Sequence, residues 1–161
     1  MSLTNKCRQV RMLLTDVDGV LTDGKLYYNF SGECMKVFNV KDGLICKKLF
    51  EQNIDIGIIT GRSSSIVEKR AEELGISTIY QNQKDKIEAL SLIMKKHGLD
   101  YKNIAYIGDD VNDLSIIKKA GLTASPSDAL NEIMKQVDYV CSKAGGKGAF
   151  REFADLILGF R

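Results

Sequence analysis

The chain has 161 residues, 44% of them hydrophobic, which suffices for one well-buried domain and is short for two. Its 23 basic and 21 acidic residues are interspersed, so neither a nucleic-acid-binding face nor a membrane-surface tail is expected. No apolar run approaches the ~18 residues of a membrane span, no signal-peptide pattern opens the chain, and the 4 cysteines lack the CxxC pairing of a zinc site, so a cytoplasmic location is expected.

The first predicted strand, 11–17, runs into Asp16-Val17-Asp18-Gly19-Val20-Leu21-Thr22-Asp23-Gly24. Residues two apart in an extended chain point to one side, so Asp16 and Asp18 can face a single substrate as covalent nucleophile and proton-transfer partner. Their oxygens also suit a hard cation such as Mg2+. An Asp-x-Asp-Gly turn is equally a common way to leave a strand. A calcium loop fits poorly, because its sixth position is Leu21 instead of glycine and its twelfth is Tyr27 instead of glutamate.

Segment 25–39 follows with two β-rich runs, Leu26-Tyr27-Tyr28 and Met35-Lys36-Val37-Phe38, around Gly32. It predicts an inserted β-hairpin, marginal on its own and therefore expected to pack against another subunit. A helix is predicted over 43–53, then a strand over 55–60 that ends in Thr60-Gly61-Arg62, a hydroxyl followed by the backbone N–H groups of a helix start. A helix at 64–74 and a strand at 78–80 lead to Lys84-Asp85-Lys86, where an ammonium at the start of the helix 85–97 suggests a bound anion; the residues alone do not separate Lys84 from Lys86. That helix ends in Lys-Lys-His97-Gly98, which gives the only histidine a capping place.

The strand at 104–107 ends in Gly108-Asp109-Asp110-Val111-Asn112-Asp113, more acid than a helix cap needs. Carboxylates converging there with Asp16 and Asp18 would repel one another unless a cation sits among them, and Mg2+ is the economical inference. Strands at 122–124 and 139–141 and helices at 112–120, 129–137 and 150–158 complete the alternation. The fold class is α/β: a doubly wound, Rossmann-like parallel sheet with an inserted hairpin, over a single domain 1–161.

Taken together, Asp16-Val17-Asp18-Gly19, Thr60, Lys86 and Gly108-Asp109-Asp110-Val111-Asn112-Asp113 resemble, in this order, the four motifs of the haloacid dehalogenase superfamily. Over 14–158 the chain resembles the 3-deoxy-D-manno-octulosonate 8-phosphate (KDO 8-phosphate) phosphatases of that superfamily. This resemblance rests on residues 15–24, on Ile59-Thr60-Gly61-Arg62, on Tyr80-Gln81 and on Ala144-Gly145-Gly146-Lys147-Gly148-Ala149-Phe150-Arg151-Glu152. It implies a phosphomonoesterase of lipopolysaccharide biosynthesis. Asp16 would form an aspartyl-phosphate, and Asp18 would act as general acid and then base. Mg2+ would lie on Asp16, the Asp18 backbone carbonyl and Asp109, supported by Asp110, Asn112 or Asp113. Thr60, Gly61 and Lys86 would bind phosphate, and Arg62 the carboxylate of the sugar acid.

Only 18 residues separate Gly24 from Gly43 and 23 separate Arg62 from Lys86, so no cap domain is expected and the site should be open. The resemblance further implies a homotetramer assembled through the hairpins; closure by a C-terminal tail is not expected of a sequence ending at Arg161. Related phosphatases of nine-carbon sialic-type acids can carry glutamate where this chain has Arg62, which favours the eight-carbon substrate, with the nine-carbon acids or a broad range of sugar phosphates as the alternative. Two readings of another class are a phospho-receiver domain, which would need its acids and lysine in another chain order, and an inactive phosphatase-like oligomerisation module, which the intact catalytic set disfavours.

Overall fold

The computed structural model describes residues 1–160, which run α1 (Leu3–Gln9), β1 (Met12–Thr15), β2 (Tyr27–Asn29), β3 (Gly32–Met35), α2 (Val40–Glu51), β4 (Asp55–Ile59), α3 (Ser65–Leu74), β5 (Thr78–Tyr80), α4 (Lys86–His97), β6 (Ile104–Ile107), α5 (Leu114–Ile117), β7 (Leu122–Ser125), α6 (Asn131–Met134), β8 (Tyr139–Val140) and α7 (Ala149–Gly159). Six strands form one sheet in the order β5-β4-β1-β6-β7-β8, every pair parallel. The chain moves outward from β1 through β4 to β5, then returns to place β6 on the other side of β1. Such a reversal opens a crevice beyond the carboxyl ends of the flanking strands.

Both faces of the sheet are covered, and the strands sort their side chains with period two. Leu13, Ala105 and Ile107 join a core with Ile45 and Leu49 of α2, Val67 of α3 and Phe150 and Phe153 of α7. Met12, Leu14, Ile104 and Tyr106 join a second core with Leu90 and Ile93 of α4 and Ile116 of α5. Each such fully buried aliphatic side chain contributes roughly 1.5–3 kcal/mol of transfer free energy, which is why four-residue strands hold. Helix α4 closes with Gly98 in the left-handed region behind His97. No helix among the described residues is long and apolar enough to cross a membrane.

The helix expected over 129–137 is confined to Asn131–Met134 and the strand expected over 11–17 to Met12–Thr15, and three further boundaries differ from the sequence reading for a visible reason. The hairpin's second strand is Gly32–Met35, not a run through Phe38, because the next residues are taken elsewhere: Lys36 turns into the crevice, Phe38 packs under Arg70 at 5.7 Å, and Asn39 caps α2. That cap starts α2 at Val40 and leaves Gly43 inside the helix, against Leu74. Residues 112–120 do not make one helix, since Val111–Asp113 form a 3-10 turn capped by Asp110 before α5 begins. The short α1, opened by Ser2 at its N-cap, has no counterpart in the sequence reading. Cys7, Cys46 and Cys141 are buried free thiols, and Cys34 on β3 is exposed.

Candidate active site

The carboxyl ends of β1, β4 and β6 deliver Asp16, Thr60 and Asp109 to one cleft of about 130 Å3, whose lining also includes Asp18, Gly61, Arg62, Asp110 and Asn112. Its volume is below the ~300–1,000 Å3 of sites that enclose a drug-sized ligand, so the cleft suits a phosphoryl group and leaves the rest of a substrate outside. Gly19 is fixed by this convergence: its φ is +88°, and a Cβ there would stand 2.0 Å from Oδ2 of Asp109. Any side chain at this position would push Asp109 out of the cleft.

The floor of the cleft is a closed set of ions. Lys86, 0% exposed, donates to Oδ2 of Asp16 at 2.7 Å and Oδ1 of Asp113 at 2.6 Å, with the Tyr106 hydroxyl at 3.4 Å. Tyr106 lies there because its strand alternates: Ile104 and Tyr106 face α4, whose first residue is Lys86. Asp113 is saturated, since its Oδ1 also accepts from the Tyr106 hydroxyl at 2.5 Å and its Oδ2 accepts from the backbone N–H of Asp109 at 2.9 Å and Asp110 at 3.2 Å. Burial works against the charge on Lys86, but Asp16 and Asp113 outweigh it and raise its pKa.

Asp109 is different. Its Oδ1 is buried without a hydrogen-bond partner. Burial first, then the charges of Asp16, Asp113 and Asp110, push its carboxyl up to about 8. Burial likewise lifts Asp16 to about 6, with Lys86 acting in the opposite direction. Asp16, Asp109 and Asp113 bring oxygens within 4.8 Å of one another, and with all three ionised the one ammonium of Lys86 leaves two negative charges. That surplus equals the charge of one divalent cation, and an orphaned hard oxygen is the ligand such an ion takes.

The rim is built by the hairpin. Lys36 donates to Oδ1 of Asp18 at 2.5 Å and to Oε1 of Glu33 at 3.0 Å. Glu33 also accepts from the Ser64 hydroxyl and faces Arg62 at 3.8 Å, while Arg62 donates to the Tyr28 hydroxyl. Burial opposes the charge of Glu33, but Ser64, Lys36 and Arg62 outweigh it and hold its carboxyl below the ordinary value. The Nε of Arg62 has no hydrogen-bond partner and stands 3.7 Å from Oδ2 of Asp18, too far for a hydrogen bond.

All ten residues singled out from the sequence therefore meet at this edge of the sheet. Lys86 and Lys84 are separated by burial: Lys86 is enclosed and Lys84 is exposed. Within the acid cluster, Asp110 turns its carboxylate onto the N–H of Val111 and is exposed, whereas Asp113 is fully buried. Sequence reasoning missed Tyr106, whose place on the α4 face follows from strand alternation, and Glu33, Lys36, Tyr28 and Ser64. No spacing or composition signal marks those four.

The profile of the haloacid dehalogenase-like hydrolases matches residues 40–121, a span holding Thr60, Lys86 and the Asp109–Asp113 cluster. The chain is also 42% identical over 153 residues to the 3-deoxy-D-manno-octulosonate 8-phosphate phosphatase of Salmonella typhi, covering 95% of this chain and 81% of that one. The chain belongs to the haloacid dehalogenase-like hydrolases. Among solved members of this family, the KDO 8-phosphate phosphatase of Moraxella catarrhalis, in complex with magnesium, phosphate and KDO, superposes with a TM-score of 0.95 at 42% identity, over 99% of this chain and 91% of that one. The cobalt-bound Haemophilus influenzae phosphatase gives 0.94 at 41% identity, over 96% and 91%.

Proposed function

We propose that this hydrolase is a magnesium-dependent phosphomonoesterase that converts 3-deoxy-D-manno-octulosonate 8-phosphate to KDO and phosphate, working as one phosphatase domain with the hairpin inserted. The observation that carries this reading is the buried Asp16–Lys86–Asp113 group beside the unpartnered Asp109 oxygen, in a chain 42% identical to a phosphatase solved with magnesium, phosphate and KDO.

Asp16 attacks phosphorus, and the bond to the leaving alkoxide breaks as that oxygen takes a proton from Asp18. Asp18 then removes a proton from the water that releases phosphate from Asp16. Lys86 holds Asp16 in line from below and, with the Thr60 hydroxyl and the Gly61 N–H, binds phosphoryl oxygens. Asp16, the Asp18 backbone carbonyl and Asp109 would hold Mg2+, with Asp113 fixing the Asp109 backbone and Asp110 and Asn112 flanking it. Bound there, the metal supplies positive charge against the phosphoryl oxygens. Enzymes accelerate phosphate-monoester hydrolysis by up to ~10²¹, whereas a general acid supplies only ~10²–10⁴. Most of the barrier is therefore removed by positioning and charge stabilisation at the floor of the cleft.

Arg62 pairs with the carboxylate of the keto acid; its buried, unbonded Nε at the cleft supports this role. The assembly proposed is a homotetramer through the hairpin, whose Leu26, Tyr28, Phe30, Met35 and Val37 are all exposed in one chain. Sedimentation of the wild type against Phe30→Ser tests it: a wild-type monomer rejects the assembly. The proposed compartment is the cytoplasm.

The deciding experiment measures phosphate release, with magnesium and with chelator, from the eight-carbon acid phosphate, a nine-carbon acid phosphate and simple hexose phosphates. A magnesium-dependent preference of at least tenfold, about 1.4 kcal/mol, for the eight-carbon acid supports the reading. Uniform weak release rejects the substrate, and no release rejects the phosphatase.

A further inference from the structure

Lys36 sits where a hairpin residue has no structural need to be. Its side chain is 1% exposed, between Oδ1 of Asp18 at 2.5 Å and Oε1 of Glu33 at 3.0 Å. A lysine so placed gives up water and the rotamer freedom of a long side chain, which a marginal hairpin gains nothing by sacrificing. Its place is also braced from both ends. Upstream, Glu33 is held by the Ser64 hydroxyl, and the Ser64 N–H donates to Gln81 at 2.8 Å. Downstream, Phe38 packs against Arg70, and the Asn39 side chain caps α2 while donating to the Gly146 carbonyl at 3.2 Å.

The consequence falls on the two oxygens of Asp18. Oδ1 is taken by the Lys36 ammonium at 2.5 Å, which leaves Oδ2, with the Arg62 Nε 3.7 Å away, as the oxygen of Asp18 without a hydrogen bond at the cleft. We propose that Lys36 is a positioning residue that locks Asp18 through Oδ1, making Oδ2 the atom that gives the proton to the leaving alkoxide and later takes one from water. The inference rests on the phosphatase reading and on the acid–base role of Asp18. The proton balance is that of the two half-reactions: Oδ2 loses its proton as the phosphorus–alkoxide bond breaks, and regains one from water as the aspartyl-phosphate on Asp16 is cleaved.

Leaving groups separate this role from a merely structural one. An alkoxide needs the proton, whereas 4-nitrophenolate departs without it. The Lys36→Met protein is compared with the wild type, in magnesium, on an alkyl phosphomonoester and on 4-nitrophenyl phosphate. Expected is a fall in kcat/KM of about 10²-fold on the alkyl ester, the lower part of what a general acid supplies, and of less than about threefold on the aryl ester. Because the second half-reaction then lacks its positioned base, 4-nitrophenolate should appear in a burst of one equivalent per site. Lys36→Arg should restore part of the alkyl rate, and Glu33→Gln should give a smaller loss with the same preference. These two variants carry the test if Lys36→Met does not fold. Equal losses on both esters, or a rise in KM alone, overturn the proposal while the phosphatase stands; a wild type inert on both esters overturns the phosphatase as well.

Discussion

The floor and the rim of the cleft are both ion networks, yet they are balanced differently. On the floor, Asp16, Asp109 and Asp113 face the single ammonium of Lys86, a deficit that a divalent cation fills. On the rim, Asp18 and Glu33 face Lys36 and Arg62, and the charges cancel within the chain. The floor stands on sheet ends and a helix start, in contact with the core; the rim hangs largely on a two-stranded hairpin, with Arg62 its most exposed charge. Charge that phosphoryl transfer requires is thus placed against the core, and charge that would meet the rest of a substrate is placed on the rim, where Arg62 keeps an unbonded Nε.

The largest expected effect attacks the floor directly. Asp16→Asn should lower kcat by roughly 10⁴-fold or more, as removal of a nucleophile does, while thermal unfolding stays close to wild type because Lys86 keeps Asp113. A variant with wild-type turnover would reject Asp16 as nucleophile. Next in size is Lys86→Met, which leaves two carboxylates in a dry site without their cation. Urea titration should show a loss of about 3–5 kcal/mol, whereas the same measurement on the rim variant Arg62→Glu should show no more than about 1 kcal/mol. Comparable losses would erase the distinction between the two networks.

Arg62→Glu also reports on selectivity. Loss of a charge-assisted pair, about 1.5–3 kcal/mol, should lower kcat/KM on a keto acid phosphate by roughly 10–100-fold, with little change on 4-nitrophenyl phosphate. Equal losses on both would remove the carboxylate role.

The smallest effect is a pH dependence of the floor. Without metal, Asp109 titrates near 8 and Asp16 near 6, both above the ordinary carboxylate value of 3.8. The folded protein then holds protons that the unfolded chain has already released, so metal-free stability falls as pH rises from about 4 to 8. Between about pH 6 and 8 magnesium must displace the Asp109 proton, so its affinity should climb about tenfold per pH unit there, with one proton released. Calorimetry in two buffers of different ionisation enthalpy measures both, and a flat affinity would mean that Asp109 does not hold the ion.

Much of the floor was legible in the sequence because strands announce themselves. Apolar runs end where chemistry begins, so Asp16, Thr60 and Asp109 could be assigned to one edge before any coordinate was known, and Thr78–Tyr80 and Ile104–Ile107 were read to the residue. The rim was not legible. Lys36 and Glu33 lie in a polar, aromatic stretch where alternation says only that a hairpin forms, and the pairing of Lys36 with Asp18 spans 18 positions. The second hairpin strand was misplaced for the same reason: Lys36, Phe38 and Asn39 are β-compatible locally, and tertiary contacts draw them off the ladder. Tyr106 was hidden by its strand, where an aromatic residue reads as packing and its hydroxyl goes unnoticed.

Of the four thiols, only Cys34 is exposed, on the second hairpin strand with its Sγ 3.3 Å from the Tyr27 carbonyl, while Cys7, Cys46 and Cys141 lie inside the core. A maleimide dye would therefore label the folded protein at a single place without any engineered cysteine. Its emission would report the surroundings of the hairpin, and so the coming and going of whatever covers that strand, independently of turnover at the cleft.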